Sequence, residues 1–299
     1  MTDPAELKRL VESRLSALLP QTEGFGDGRI PGLLSESMRY SLLAGGKRLR
    51  PCMLLKACEI NGGDVSEALD YACAMEMIHT YSLIHDDLPG MDDDCLRRGK
   101  PTNHVVFGVG QAILAGDGLL NFAFETMLKA ALSGAIPSGN ALKAIYAVAR
   151  GAGVTGMIAG QCADLYAEGR TDTDEKLLEY IHAGKTAAMF IGAVQAGAHL
   201  AGAGEAKVDA LTRFAACFGR LFQVTDDILD VTAEADKFGK SKGKDETEGK
   251  LTAVSLMGLE GAMECARELT ERAINALDIF GEKGDYFRQL TLDMAERTY

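Results

Sequence analysis

Two aspartate clusters hold the densest chemistry in this chain. Asp86, Asp87 and Asp92 lie in the run HDDLPGMD, and Asp226, Asp227 and Asp230 lie in TDDILD, about 140 residues further on. Each follows an apolar run with helical spacing. Carboxylates this close repel one another and raise each other's proton affinity unless a hard cation sits between them. Asp226 and Asp230 are four residues apart, so a helix sets them on one face, with Gln223 a turn earlier. Asp86 and Asp87 end a helical run that Pro89 and Gly90 should stop, and the turn that follows presents Asp92. Mg2+ suits such a donor set, because it takes few carboxylates, keeps water and completes its octahedron with phosphate oxygens.

Other readings of these acids fail on their neighbours. An EF-hand after Met91 lacks the sixth-position glycine. His79, His85 and Asp86 echo the His-Asp pattern of metal phosphohydrolases, but the flanking residues do not follow it. Gly184-Lys185-Thr186 is not a phosphate loop, since Glu179 stands where the first glycine is required and no strand precedes it.

Basic residues accompany the acids. Gly45 to Pro51 reads GGKRLRP, three cations after a glycine turn at a helix start, where free N–H groups also favour anions. Leu96-Arg97-Arg98-Gly99-Lys100 adds more positive charge directly after the first acidic cluster. Alternating metal-binding acids and anion-binding bases are what two phosphorylated substrates need.

The elements that must position these groups read as helices. Residues 64–88, 109–132, 207–231 and 259–280 carry apolar side chains at three- and four-residue spacing. Residues 103–109 alternate like a strand but lie between Pro101 and Gly110, so a loop is expected. Asp3, Pro4 and Glu6 form a helix start rather than a secretion signal. The 299 residues, 47% hydrophobic with 7 prolines and no linker, predict one all-α domain over 1–299. Thirty-four glycines imply close helix packing with kinks. A net charge of −12 argues against nucleic acid as partner. No run is long and clean enough for a membrane span, and seven scattered cysteines without a CxxC pair fit a reducing cytoplasm. The polar stretch 233–250 directly follows the second cluster, as a closing lid would.

In order and spacing, GGKRLRP (45–51), YSLIHDDLPGMDDDCLRRGKPTNH (81–104), GQCADL (160–165), Lys185-Thr186 and FQVTDDILD (222–230) strongly resemble the trans-isoprenyl diphosphate synthases, with the bacterial farnesyl diphosphate synthases nearest in look. The resemblance runs from about residue 40 to residue 260. It implies a homodimer of all-α subunits, each with a deep cavity between helices. It further implies that Asp86, Asp87, Asp92, Asp226, Asp227 and Asp230 hold three Mg2+ ions, with Mn2+ as a substitute. By the same matching, Arg97, Lys185, Thr186, Gln223 and Lys240 bind the allylic diphosphate, and Lys47, Arg50, His79 and Arg98 bind isopentenyl diphosphate. Gln161 and Asp164 match further polar and metal-side positions, and Lys250 matches a lid lysine. The implied reaction is metal-assisted ionisation of the allylic diphosphate, head-to-tail condensation and proton loss. Asp86, Asp87, Arg97, Lys185, Thr186, Gln223, Asp226 and Lys240 would be its catalytic set. A terpene cyclase would need no second diphosphate site, and a non-catalytic subunit would be expected to lose carboxylates from one cluster; this chain keeps both features.

The growing tail should run down the helix that ends at Asp86. Tyr81 and Ser82 lie five and four residues upstream, Tyr81 about 7 to 9 Å below the acids. An aromatic ring at that depth should block a longer tail. In the resembling family, an aromatic residue here with two extra residues in the first motif accompanies C15 products. Farnesyl diphosphate is therefore the expected product, with geranyl and geranylgeranyl diphosphate as alternatives.

Overall fold

The computed structural model describes residues 2–19, 21–25, 30–170, 174–232 and 250–297. The fold is all-α, in agreement with the spacing of the apolar residues. Helix α1 (Pro4–Leu18) starts as the sequence implies, with the Asp3 carboxylate accepting from the Ala5 N–H at 2.7 Å. There follow α2 (Gly32–Leu42), α3 (Leu49–Ile60) and α4 (Val65–Asp86). Helix α4 is the axis of the bundle. Its residues from Tyr71 to Ile78 are all buried, and the sequence there is apolar or small nearly all round, the pattern of a helix with neighbours on every side.

After α4 comes a two-stranded hairpin, β1 (Leu96–Arg97) and β2 (Lys100–Pro101). Arg98 and Gly99 turn it with φ of 54° and 74°, the left-handed pair that suits a tight hairpin. Strands of two residues are too short for alternation to reveal. The expected loop at 103–109 is instead a short helix, α5 (Asn103–Phe107), followed at once by α6 (Val109–Leu132). Its cause is Asn103, buried and bonded to the Ser37 carbonyl and the Ser37 and Ser41 hydroxyls of α2, each at 2.9 Å.

The second half comprises α7 (Ser138–Ala152), α8 (Met157–Ala167), α9 (Glu175–Ile181), a π-helical turn (His182–Ala187), α10 (Ala188–Leu200) and α11 (Glu205–Thr232). Helix α12 (Ala253–Asn275) is set by a capping box between Thr252 and Ser255. It begins before the window expected at 259, because a kink at Gly258 (φ 73°) interrupts the periodicity, and it ends before 280, where residues 278–284 tighten into a 3-10 turn. The last helix is α13 (Asp285–Glu296).

Two apolar clusters meet at α10. Met189, Ala193 and Ala196 join the one around α1, α4 and α6; Phe190, Val194 and Ala198 join the other, with Phe214, Phe218 and Phe287. This rigid centre places the C-terminal ends of α4 and α11 at one mouth. Among the described residues, no helix is long and apolar enough to cross a membrane.

Candidate active site

At the end of α4, Asp87 is buried and gripped by the Arg97 guanidinium, Nε at 2.8 and 2.9 Å from the two oxygens and Nη2 at 2.6 Å from Oδ1. The hairpin exists in effect to fold Arg97 back on this carboxylate. Burial lifts the Asp87 carboxyl above its ordinary range despite that fork. Asp86 is pushed up to about 6, first by burial, with Asp92 and Asp87 adding and Lys185 and Arg97 opposing. The Asp92 N–H donates to the Asp86 carbonyl at 2.8 Å, which closes the turn, and Lys250 Nζ lies 3.4 Å from Asp92 Oδ1. The segment leading into α12 therefore reaches the first cluster.

Lys185 and Thr186 sit on the π-helical turn. Gly160 of α8 and Gly184 make this possible: a Cβ on Gly160 would stand 1.9 Å from the Lys185 nitrogen. The close approach lets Lys185 Nζ donate to Asp164 Oδ2 at 2.5 Å. The Thr186 hydroxyl donates to Gln223 Oε1 at 2.9 Å. Gln161, a turn before Asp164, has both amide atoms buried with no hydrogen-bond partner among the described residues.

Neighbouring aspartates on α11 face different ways. Asp226 looks into the mouth, with Arg297 Nη2 at 3.4 Å from Oδ1. Asp227 is buried and accepts from the Ala253 N–H at 2.8 Å and the Gln223 amide at 3.4 Å, tying α11 to the start of α12. Asp230 is half-buried, one turn beyond Asp226. His182 Nε2 lies 3.6 Å from Asp227 Oδ2, too long for a hydrogen bond. Burial, with Arg220 adding, brings its pKa down to about 4, so the ring is neutral.

That buried imidazole makes a pH prediction. In the unfolded chain His182 takes a proton near pH 6.5, while in the fold it stays neutral down to about 4. Its contribution to stability is therefore complete above pH 6.5 and is lost as pH falls toward 4, about 3 kcal/mol in all. Asp86 works in the opposite sense, so the comparison is with His182→Gln. Urea unfolding between pH 4 and 7 should show a steeper acid-side loss in the wild type than in the variant.

The GGKRLRP run divides its charges. Arg48, at φ 53°, turns inward to Glu76 at 2.6 Å and to the Leu42 carbonyl. It is thus a core ion pair, not a third anion-binding cation. Arg50 lies 4.5 Å over the Phe190 ring and 3.5 Å from His79 Nε2. Burial lowers Arg50 to about 10, still charged, and lowers His79 well below 6.5, with Arg50, Arg98, Arg97 and Arg48 adding, so His79 is neutral. Arg98 donates to the Gly45 carbonyl, and a Cβ on Gly46 would meet its guanidinium at 2.8 Å. Lys47 is made more acidic by burial and by Arg297, with Asp226 opposing. Lys47, Arg50, His79 and Arg98 therefore share one wall next to Asp226.

Tyr81 is 6% exposed, and its ring meets His85 edge-on at 5.6 Å. Ser82 Oγ donates to the His79 carbonyl at 2.9 Å. Lys240 and the expected closing segment lie outside the described residues except for Lys250. Sequence reasoning missed Glu76 and His182, and it assigned no role to Arg297. Glu76 is the one acid between Tyr71 and His85, in a mostly apolar or small stretch of α4, which was the available signal.

A fold and mouth of this kind define a prenyl-transfer scaffold, and the chain belongs to the polyprenyl synthetase family, which it matches over residues 31–281. It is 49% identical over 253 residues to the chloroplastic geranylgeranyl pyrophosphate synthase of Capsicum annuum, covering 85% of this chain and 68% of that protein. It is 47% identical over 270 residues to the heterodimeric geranylgeranyl pyrophosphate synthase large subunit 1, chloroplastic, of Arabidopsis thaliana, covering 90% and 71%. Among solved structures, an FPP/GFPP synthase from Zymomonas mobilis superposes with a TM-score of 0.85 at 35% identity, over 98% of this chain and 97% of that one. These names carry C20 products on the plant side, where the sequence alone suggested C15.

Proposed function

We propose that this chain is a short-chain trans-prenyl diphosphate synthase, one catalytic domain over 1–299, that joins isopentenyl diphosphate to dimethylallyl and then geranyl diphosphate and releases farnesyl diphosphate. The observation that carries the reaction is the meeting of two carboxylate clusters and two sets of cations at one mouth. Arg97, Lys185, Thr186 and Gln223, with Lys240, hold the allylic diphosphate. Lys47, Arg50, neutral His79 and Arg98 hold isopentenyl diphosphate beside it.

The donor set fits Mg2+: Asp86, Asp87, Asp92, Asp226 and Asp230 offer hard oxygens, and the Gln161 amide has no hydrogen-bond partner among the described residues. Asp227, tied to Ala253, is assigned to positioning α11. Bound Mg2+, three ions with Mn2+ as substitute, would neutralise the diphosphate as it leaves.

The chain's own groups do the rest. Lys185, held straight by Asp164, and Arg97 add positive charge where the allylic C–O electron pair goes to diphosphate oxygen. The Thr186 hydroxyl, donating to Gln223, leaves its lone pairs for the allylic cation. The double bond of isopentenyl diphosphate attacks, and the departed diphosphate takes the proton lost from the adduct. Buried walls keep water from the cation.

Product length rests on Tyr81. Its buried ring, with Asp86 a turn and a half above, supports a floor that stops the tail at C15. The second reading, geranylgeranyl diphosphate, is favoured by the names of the sequence relatives. Incubating the purified chain with Mg2+, isopentenyl diphosphate and dimethylallyl diphosphate, then chromatographing the products, decides between them: mainly C20 would overturn the C15 reading. Chelation with EDTA should abolish turnover, and Mg2+ should restore it; activity that survives chelation would sink the metal assignment.

Assembly as a homodimer is proposed from the family resemblance and the apolar side chains that α5 and α6 leave outward, including Val105, Val106, Ile113 and Leu114. All seven cysteines are free, which supports a reducing compartment; the cytoplasm is proposed, although the plant relatives are named chloroplastic.

A further inference from the structure

His85 stands between the proposed floor and the metal-side acids, and α6 has a notch shaped for it. Its ring lies edge-on to Tyr81, with Nε2 3.2 Å from the Ile113 carbonyl and 4.0 Å from Asp117. A carbonyl only accepts, so Nε2 carries the proton. The notch is Gly116: a Cβ there would lie 2.1 Å from Nε2 and 2.5 Å from Cδ2. No other side chain at 116 leaves the imidazole in place. The ring is thus locked from one side by α6 backbone and presents its other side to Tyr81.

We propose that His85, seated in the Gly116 notch, is a positioning residue that fixes the Tyr81 ring and thereby sets product length. The inference rests on the reading of Tyr81 as the floor. His85 touches no reacting atom in this role. It acts as a brace between the α6 backbone and the phenol ring, and the two ways of disturbing it act in opposite directions. Adding a methyl at 116 drives the imidazole off α6 by about 1 Å or more, to ordinary contact distance, and presses it on Tyr81. That narrows the bore. Deleting the imidazole removes the brace and lets the Tyr81 ring swing toward α6, which deepens it.

Product ratios from Gly116→Ala, His85→Ala, His85→Phe and Tyr81→Ala test this, measured with isopentenyl and dimethylallyl diphosphates under identical conditions. Gly116→Ala should raise C10 relative to C15, and His85→Ala should raise C20 relative to C15, each by about tenfold, the scale of a methylene-sized change in a pocket. His85→Phe, which restores a ring, should return the ratio toward the wild type. A merely structural role would lower turnover or stability and leave the ratio alone. If Tyr81→Ala lengthens the product while neither His85→Ala nor Gly116→Ala shifts it, the brace is refuted and the floor stands. If Tyr81→Ala also changes nothing, both are refuted. Should Gly116→Ala not fold, the His85 pair still decides.

Discussion

Asp226→Ala is expected to lower prenyl transfer by about 10²- to 10³-fold or more, the scale of losing one preorganised electrostatic group at a reacting centre, here a carboxylate that would hold Mg2+, while the protein melts close to the wild-type temperature. Asp226 faces the mouth, with Arg297 and Lys47 beside it, so its loss is expected to be read in turnover before stability. Its neighbour should behave in the reverse way. Asp227→Ala leaves the Ala253 N–H, at the start of α12, without its acceptor, a loss of about 1–3 kcal/mol. Thermal melts and turnover at saturating Mg2+, run on both variants, separate the two roles. Equal loss of activity with equal loss of stability would show that the motif acts as one structural unit.

Tyr81→Ala carries the second large effect. Removal of the ring opens the wall below Asp86 by the depth of an aromatic side chain, and the C20 to C15 ratio should rise by about tenfold or more. Because emptying a buried aromatic site costs about 3–5 kcal/mol, Tyr81→Met is the companion variant: flexible, apolar and similar in length. It should lengthen the product with less damage to folding. An unchanged distribution in both would place the floor elsewhere and leave the C20 reading suggested by the relatives as the better one.

Helix existence was plain in the sequence because α4, α6 and α11 carry unbroken apolar spacing. The divergence within short motifs was not. Lys47, Arg48 and Arg50 look alike in GGKRLRP, and only the left-handed backbone at Arg48 sends one cation to Glu76 while the others face the mouth. Asp226 and Asp227 are adjacent and chemically identical, yet a helix turns consecutive side chains about 100° apart, so one meets the mouth and the other meets α12. Asn103 made a helix of an expected loop through bonds to α2, a contact 66 residues distant in sequence and invisible to local pattern. The acids, Lys185 and Thr186 were legible because their types and order are chemical; Arg297, a single arginine just past the end of α13, has no local signal.

Arg97 on Asp87, Lys250 by Asp92, Lys185 on Asp164 and Arg297 by Asp226 give the mouth a ledger of opposite charges already matched within the chain. On the proposed function, ligand uptake is then an exchange of partners. Where Asp226 turned to a divalent ion, Arg297 would be released to meet a diphosphate, and Asp92 would likewise loosen its hold on Lys250. Metal and substrate therefore strengthen each other's binding by the same factor, as linkage requires. Raising ionic strength should weaken this coupling least where the pair is buried, at Asp87, and most at the exposed edge, where Arg297 meets Asp226.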